Sequence, residues 1–298
     1  MSAARKISAL LFGAGVLLCT ISDPAPSEVP RVDGYFVLGA DFHVHTAFGD
    51  GGLPPWDAAR EAQRRGIDVI AVTNHNQMLA GRLHRWLFGS GDVPLVLVGQ
   101  EVTSPDHHIL AIGVTKPVRE GRSAADIIAS IHAQQGVAIA AHPHGEAGGG
   151  YDARALAQID GVERAHPGMR LRDNTPAQYA AFFARARQHN PPVAPIGDSD
   201  FHFASRIGLC RTYVLAREIS EGGVLDAVRD GRTVAYDALG VAYGEPAFVE
   251  IAARARRARD AAGPRRSTRH TSILGAFLVW TGMLGLVLAG PGPDRSSL

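Results

Sequence analysis

Short apolar runs alternate with amphipathic stretches through the middle of the chain. The apolar runs are typical of buried strands, and they occupy residues 35–38, 67–73, 93–98, 109–114, 137–141, 193–196 and 210–215. The amphipathic stretches carry helix start and stop signals, and they occupy residues 54–65, 79–88, 123–135, 176–189 and 220–230. This alternation predicts the α/β class, with a parallel sheet or barrel covered by helices.

Hydrophobic segments are also found at both ends of the chain. Arg5 and Lys6 precede an apolar run over residues 7–21, which predicts a signal peptide or signal anchor over residues 1–22. An uncharged run over residues 273–290 predicts a transmembrane helix. The rest of the chain is predicted to form a Pro-rich linker, one large domain, an Arg-rich linker and a tail, over residues 23–34, 35–250, 251–272 and 291–298.

The basic residues bear on the orientation of these end segments. Arg5 and Lys6 favour a cytoplasmic N-terminus, which would export the central domain. The arginines between Arg254 and Arg269 favour the cytoplasm for the segment that precedes the second helix. Because the first segment usually dominates, we expect a membrane-associated protein with an exported domain, and the cytoplasmic orientation is the alternative.

Composition narrows the chemistry that is open to this chain. The formal net charge is +1, which gives no signature of nucleic-acid binding, and Lys6 and Lys116 are the only lysines. Cys19 and Cys210 are the only cysteines, so the sequence contains no disulfide framework and no cysteine zinc site. Any metal is therefore expected to be held by carboxylates and by the 13 histidines.

Histidines and carboxylates follow the predicted strands. His43 and His45 lie two residues apart, so in an extended strand their side chains point to one face and can bind one metal ion. Similar side chains follow this pair or end the later apolar runs, namely Asp50, His75, Glu101, His142, Asp200 and His202. Because ligands bind at the carboxyl ends of strands in α/β folds, we expect these side chains to converge. A set of this size exceeds the needs of one ion and fits two or three.

Several motifs resemble those of the PHP (polymerase and histidinol phosphatase) family of metal-dependent phosphoesterases. They are, in order, DFHVHT with GDG, AVTNHN, VGQE, HHILAIG, AHP and GDSDFH, and the resemblance covers about residues 36–235. It implies a distorted seven-stranded (β/α) barrel with a trinuclear metal centre. The two or three divalent ions are expected to be zinc, manganese or iron, which suit imidazole and carboxylate ligands.

The resemblance also implies which residues bind each ion. The expected ligands are His43, His45, Glu101 and Asp200 for the first ion, Glu101, His108 and His142 for the second, and Asp50, His75 and His202 for the third. His108 is preferred over His107 because it directly precedes the apolar strand. The chain departs from the family at Asn74, where an Asp usually supports the imidazole that follows, so the affinity of the third site is open.

The reaction that this resemblance implies is hydrolysis of a phosphate ester, with a small-molecule or nucleotide-type substrate. Metal ions lower the pKa of bound water, and a hydroxide that bridges two ions can attack phosphorus in line. Glu101, Asp200 and His202 are the predicted catalytic residues. Arg206 and Arg211 are candidates to bind the phosphate oxygens.

Three other functions are open at this stage. The same fold and metals would allow hydrolysis of a carbamate or a carboxylic ester. An amidohydrolase-like barrel also opens with two histidines two residues apart, but it commonly bridges its ions with a modified lysine, and Lys116 lies outside the motifs. The third is a non-catalytic, membrane-tethered domain stabilised by metal, and the near-complete ligand set argues against it.

Overall fold

The computed structural model describes residues 3–21, 28–89, 94–143, 148–170, 175–203, 205–262 and 269–288. The predicted tail and the first part of the predicted Pro-rich linker, residues 23–27, lie outside these ranges. The contacts divide the chain into two compact units. One consists of Met1–Ala25 and Pro264–Leu298, and the other of Pro26–Gly263.

The larger unit contains the β-sheet and most of the helices. Its strands are β1 Arg31–Val32, β2 Tyr35–Val44, β3 Val69–Val72, β4 Leu95–Ser104, β5 His107–Ile112, β6 Val137–Ala140, β7 Gly161–Ala165, β8 Ala194–Gly197, β9 Arg211–Ala216, β10 Thr233–Tyr236 and β11 Ala242–Tyr243. The helices of the whole chain are α1 Ala3–Ile21, α2 Pro55–Arg64, α3 Leu79–Phe88, α4 Ala124–His132, α5 Ala153–Leu156, α6 Pro176–His189, α7 Glu221–Arg229, α8 Pro246–Ala261 and α9 Arg269–Leu288, with a 3-10 turn at Pro167–Arg170.

The strands follow one path around a nearly closed barrel. Its order is β11-β10-β9-β2-β3-β4-β5-β6-β7-β8, and β1 pairs with β2 outside this path. Strands β2 to β4 are parallel, as are β6 to β8, whereas β5 is antiparallel to both of its neighbours. Thr212 on β9 closes the seam, since its hydroxyl accepts from the Gly197 N–H (2.9 Å) and donates to the Gly197 carbonyl (3.0 Å).

The α/β class is confirmed, but the predicted count of seven strands is wrong, because the barrel path has ten. The seven apolar runs of the sequence fall on β2 to β6, β8 and β9, and β7, β10 and β11 add the three further strands. β11 has only two residues, and the four residues of β10 lie between Arg232 and Asp237, so neither strand shows a longer apolar run in the sequence.

Helix starts follow local signals that the sequence contains. Ser123 accepts from the Asp126 N–H at the start of α4, as the spacing predicts. Thr175 and Gln178 form a full capping box at the start of α6. Buried isoleucines on α4, such as Ile127 and Ile131, pack with β-strand side chains in the largest apolar cluster. These helices cover the outside of the barrel and leave the carboxyl ends of the parallel strands to the loops.

Helix α8 runs across the domain boundary that the sequence predicts at residue 250, and the Arg-rich segment is helical up to Ala261. Ile251, Ala252 and Ala255 are buried against the sheet. Arg259 forms an ion pair with Asp68, which is fully buried, and donates to the Val37 carbonyl (3.0 Å).

The smaller unit packs α1 against α9. Glycines allow this close approach, because a Cβ at Gly15 would lie 2.6 Å from the Val279 backbone nitrogen, and one at Gly282 would lie 2.4 Å from the Phe12 nitrogen. Both contacts are far shorter than real Cβ contacts, so a side chain at either glycine would force the two helices apart.

The predicted membrane association and exported orientation are wrong. Within the described ranges, no helix combines the length and the apolar character that crossing a membrane requires.

Replacement of Arg259 should destabilise the larger unit. Arg259→Ala removes a cation that pairs with the buried Asp68 carboxylate, which costs about 3–5 kcal/mol. Urea unfolding of the full chain measures the loss. The control is Arg254→Ala, because Arg254 pairs with the exposed Asp33 and its loss should leave the unfolding midpoint near the wild-type value. Equal midpoints for the two variants would contradict this account of α8.

Candidate metal centre

The end of β2 places the two histidines that the sequence singles out. The Nε2 atoms of His43 and His45 lie 3.0 Å apart, and both side chains are fully buried. Two buried carboxyl groups hold this strand end in place. Asp198 accepts from the Phe42 N–H (2.7 Å), and Asp41 accepts from backbone N–H groups of the segment that follows β8. The segment that contains Asp200 is therefore fixed beside His43.

Two carboxylate oxygens lie next to the Nε2 atoms of this pair. Glu101 Oε2 lies 3.3 Å from the Nε2 atoms of both His43 and His45, and Asp200 Oδ1 lies 3.2 and 3.4 Å from them. Ligands of a tetrahedral zinc ion with bonds near 2.0 Å lie about 3.3 Å apart. In the described part of the chain, Asp200 Oδ1 is buried and has no hydrogen-bond partner, whereas the buried Glu101 Oε2 also lies 2.8 Å from His75 Nδ1. Buried carboxylate oxygens that face only imidazoles fit a cation.

Glu101 connects this first group to a second one. Its other oxygen, Oε1, lies 2.8 Å from His108 Nδ1 and 3.1 Å from His142 Nε2. The register of the β4–β5 hairpin pairs Thr103 with His108 and so turns the His108 ring towards Glu101. His107, one residue earlier, instead lies 2.8 Å from an Asp106 oxygen. The structure thus places His108 in the cluster, as the sequence predicts.

A third group lies at the outer side of the cluster. Asp50 Oδ2 is 3.3 Å from His75 Nε2 and 3.2 Å from His202 Nε2, and Asp50 Oδ1 is 2.9 Å from His45 Nδ1. Asp50 can approach this closely because Gly51 follows it, and a Cβ at Gly51 would lie 2.3 Å from the His45 backbone. The group is more open than the first, since the side chain of Asp50 is 47% exposed.

Asn74 has a structural role beside this third group. Its Oδ1 accepts from the Thr46 N–H (2.7 Å), and its Nδ2 donates to the Thr46 hydroxyl (2.9 Å). The side chain therefore holds the turn after His45. The imidazole of His75 is held by Thr103, whose hydroxyl lies 2.7 Å from its Nδ1.

Opposite charges dominate the electrostatics of the cluster. Burial alone lowers the pKa of His43, but Asp200, Glu101 and Glu163 outweigh burial and hold this pKa well above its ordinary value. Burial raises the pKa of Glu101, yet His43 and hydrogen bonds from neighbouring imidazoles hold it well below the usual range. The pKa of Glu163 is also lowered, chiefly by His43, against the effect of burial. The carboxylates and the imidazole of His43 therefore stabilise one another's charged forms.

Two residues of the cluster are not predicted from the sequence. Glu163 is fully buried and its Oε1 lies 2.7 Å from His43 Nδ1. His166 accepts from the Gly168 N–H at Nδ1, and its Nε2 lies 3.3 Å from Asp200 Oδ2. Both lie at the carboxyl end of β7, where the other strands carry their candidate ligands. The apolar signal of β7 is weak in the sequence, and the residues at its end were missed for that reason.

The two arginines proposed to bind phosphate lie in different settings. Arg211 donates to the carbonyls of Gly208 (3.0 Å) and Arg65 (3.4 Å), so its guanidinium is engaged by backbone. Arg206 is exposed. Their role towards a substrate stays a prediction.

Comparison with known proteins supports the fold. No protein-family model matches the sequence. The chain is 29% identical over 118 residues to an uncharacterized protein of Methanocaldococcus jannaschii. The match covers 36% of this chain and 68% of that protein. It superposes with a TM-score of 0.60 and 23% identity on a two-domain Bacteroides vulgatus protein described as containing a predicted PHP-like metal-dependent phosphoesterase, covering 76% of this chain and 72% of that one.

A more distant likeness is to PsfC of Pseudomonas syringae, with a TM-score of 0.48 and 15% identity over 76% of this chain and 99% of that one. The likeness to the Bacteroides vulgatus protein, at 23% identity and a TM-score of 0.60, shows a shared fold. The chain therefore has a barrel fold like that of the PHP-like protein from Bacteroides vulgatus, with His/Asp/Glu groups that can hold divalent metal at the ends of its strands.

Zinc binding by the full chain should strengthen as the pH rises from 6.5 to 8.5. Because the pKa of His43 is raised, a proton occupies its Nε2 at neutral pH, and zinc must displace it. Below that raised pKa, the affinity changes by about tenfold per pH unit for each displaced proton. Calorimetric titration with a competing chelator measures it.

A histidine with an ordinary pKa is mostly neutral by about pH 7.5, so an affinity that stops rising below that pH would contradict the raised pKa of His43. His189→Gln is the control, because this exposed histidine lies on α6 and binds the Arg185 carbonyl. It should keep the wild-type dependence.

Proposed function

We propose that this protein is a metal-dependent hydrolase of phosphate esters. The observation that supports this most directly is the pair of buried carboxylate oxygens, Glu101 Oε2 and Asp200 Oδ1, which both face the Nε2 atoms of His43 and His45. The fold shared with a protein described as containing a predicted PHP-like phosphoesterase agrees with it. The substrate we propose is a small-molecule or nucleotide-type phosphate ester.

In this proposal the cluster holds up to three divalent ions. The ligands are His43, His45, Glu101 and Asp200 for the first, Glu101, His108 and His142 for the second, and Asp50, His75 and His202 for the third. Bound ions of this kind lower the pKa of water and neutralise charge on a phosphoryl group. Imidazole and carboxylate ligands suit zinc, manganese or iron.

The side chains of the cluster have distinct roles in this proposal. Glu101 uses both oxygens and so fixes the distance between the first two groups. Asp200 has a free oxygen towards the first group and a second oxygen towards His166. His202 lies on the open side and is half-buried, so it can contact a substrate as well as an ion. Together with the buried ligands of the first ion, these residues orient an ester at the carboxyl ends of the strands.

The amidohydrolase-like alternative has less support. It needs a lysine that bridges two ions, and Lys116 is exposed, with its backbone N–H donating to Gln134 (2.8 Å). Lys6, the other lysine of the chain, lies on α1 in the smaller unit. Hydrolysis of a carbamate or a carboxylic ester would use the same metal ligands. A substrate panel distinguishes it from hydrolysis of a phosphate ester.

The test is a substrate panel with the full chain loaded with zinc, manganese or iron(II). Aryl phosphate monoesters and diesters should be hydrolysed, and a chelator should abolish turnover. Aryl carboxylic esters and aryl carbamates are the other arms of the panel. If only these arms are hydrolysed, the fold and the metals stand and the phosphate-ester proposal is wrong.

Replacement of Glu101 should remove this activity without unfolding the protein. Glu101→Gln has the same size but only one acceptor oxygen, so it cannot face both groups as a carboxylate does. We expect kcat to fall by at least roughly a hundredfold. The control is Lys116→Ala, which should be nearly silent in both turnover and metal content. Wild-type turnover by Glu101→Gln would remove Glu101 from the centre.

A further inference from the structure

Glu163 is a buried carboxylate for which the proposed reaction has no use. It lies on β7, and both of its oxygens are occupied. Oε1 lies 2.7 Å from His43 Nδ1, and Oε2 accepts from the backbone N–H of His142 (2.7 Å). The first contact reaches a candidate ligand of the first ion, and the second reaches a candidate ligand of the second ion. One side chain therefore contacts both groups from behind.

Both partners of Glu163 donate. The His142 N–H can only donate, and an ionised carboxylate can only accept, so His43 must carry a hydrogen on Nδ1 to bind Oε1. In a neutral imidazole, a proton on Nδ1 leaves Nε2 with its lone pair. His43 Nε2 is the atom that faces Glu101 and Asp200. The contact with Glu163 thus selects the ring form that can bind a cation.

The second contact acts on a strained backbone. His142 has φ +27°, in a region that residues other than glycine rarely occupy. The hydrogen bond from its N–H to Glu163 helps to hold this conformation. In that conformation, the His142 side chain turns its Nε2 towards Glu101 Oε1 (3.1 Å). Loss of the contact would release the ring from this position.

We propose that Glu163 is a positioning residue that fixes His43 as the Nδ1–H tautomer and holds the backbone of His142, and so sets ligands of two metal ions at once. The inference rests on the proposed function for the presence of the ions. It concerns the geometry of the protein before any substrate binds.

Glutamine cannot replace this carboxylate. Its amide has one accepting oxygen and one donating NH₂ group, whereas the site presents two donors. If the amide oxygen in Glu163→Gln faces the His142 N–H, the amide NH₂ group must face His43 Nδ1. That NH₂ group cannot accept a hydrogen from Nδ1, so it favours the His43 tautomer with the proton on Nε2. That proton blocks the atom that should bind the ion. Glu163→Gln should therefore lower zinc affinity by about 10–100-fold.

The chain contains a matched carboxylate outside the cluster. Asp160 directly precedes β7, and its Oδ2 lies 2.8 Å from His132 Nε2 and accepts from the Ala138 N–H (2.7 Å). It therefore contacts one imidazole and one backbone donor, as Glu163 does. Asp160→Asn makes the same chemical change, and we expect it to leave zinc affinity within about twofold of the wild type.

The experiment compares the full-length wild type, Glu163→Gln and Asp160→Asn, each titrated with zinc, a diamagnetic ion. Zinc content and affinity are measured together with the ¹⁵N spectrum of the imidazoles, in which the His43 signal is assigned from its absence in His43→Asn. We expect Nδ1–H and a zinc-bound Nε2 for His43 in the wild type, and a protonated Nε2 with weakened zinc binding in Glu163→Gln alone.

Three results would overturn the proposal. The first is a zinc affinity of Glu163→Gln equal to that of the wild type, and the second is an equal loss of zinc affinity in Asp160→Asn. The third is a loss of zinc affinity in Glu163→Gln without any change of the His43 tautomer. If Glu163→Gln does not fold, the wild-type spectrum alone decides, because a zinc-bound Nδ1 in His43 would exclude the contact. If the wild type binds less than one zinc, the proposed function itself fails, and that outcome is distinct from the other three.

Discussion

The contact between one buried carboxylate and five imidazoles organises this molecule. Glu101 Oε2 lies near His43, His45 and His75, and its Oε1 lies near His108 and His142. Burying a carboxylate is costly unless opposite charge or donors surround it. Here these partners come from separate segments of the chain, and the adjacency of β3, β4 and β5 in the barrel brings several of them to one edge. The barrel and the cluster are therefore parts of one arrangement.

The buried carboxyl groups behind the cluster are a second constraint. Burial, together with the charges of Asp41 and Glu163, raises the pKa of Asp198 well above its usual range. The pKa of Asp41 is also raised by burial. A protonated carboxyl group can stay in such a site at less cost than a charged one, and it still accepts the Phe42 N–H. These groups join the end of β2 to the segment that carries Asp200, so the position of Asp200 depends on them.

Much of the fold and of the candidate site could be predicted from the sequence. The alternation of apolar runs and helices indicates an α/β fold. The His and carboxylate residues at the strand ends indicate where the candidate site lies. The nine predicted metal ligands form the groups described above. The strands β10 and β11 could not be predicted, since they are too short to show a period. The Arg-rich stretch of α8 reads as a linker because its anchor, the buried Asp68, is almost 200 residues away in the chain.

The errors have physical causes as well. The predictions of a signal peptide or signal anchor and of a transmembrane helix rest on the apolar composition of the two end segments, and apolar composition alone does not establish a membrane span. Glu163 was missed because its strand has only a weak apolar signal, although its contact with His43 is among the shortest in the cluster. Composition and spacing identify groups that can bind a cation. They do not identify the groups that hold those ligands in place, because this depends on which strands become neighbours.

The hairpin between β4 and β5 has a consequence for how such a site can change. Two residues, Pro105 and Asp106, connect the strands, and their number decides which of two consecutive histidines turns inward. A one-residue slip would exchange His108 for His107, since neighbouring residues of a strand point to opposite faces. His108 would then point away from Glu101, and the chemically identical ring of His107 would take the inner face at a different position along the strand. Turn length, rather than the identity of the histidine, is the property of this segment on which the second group depends.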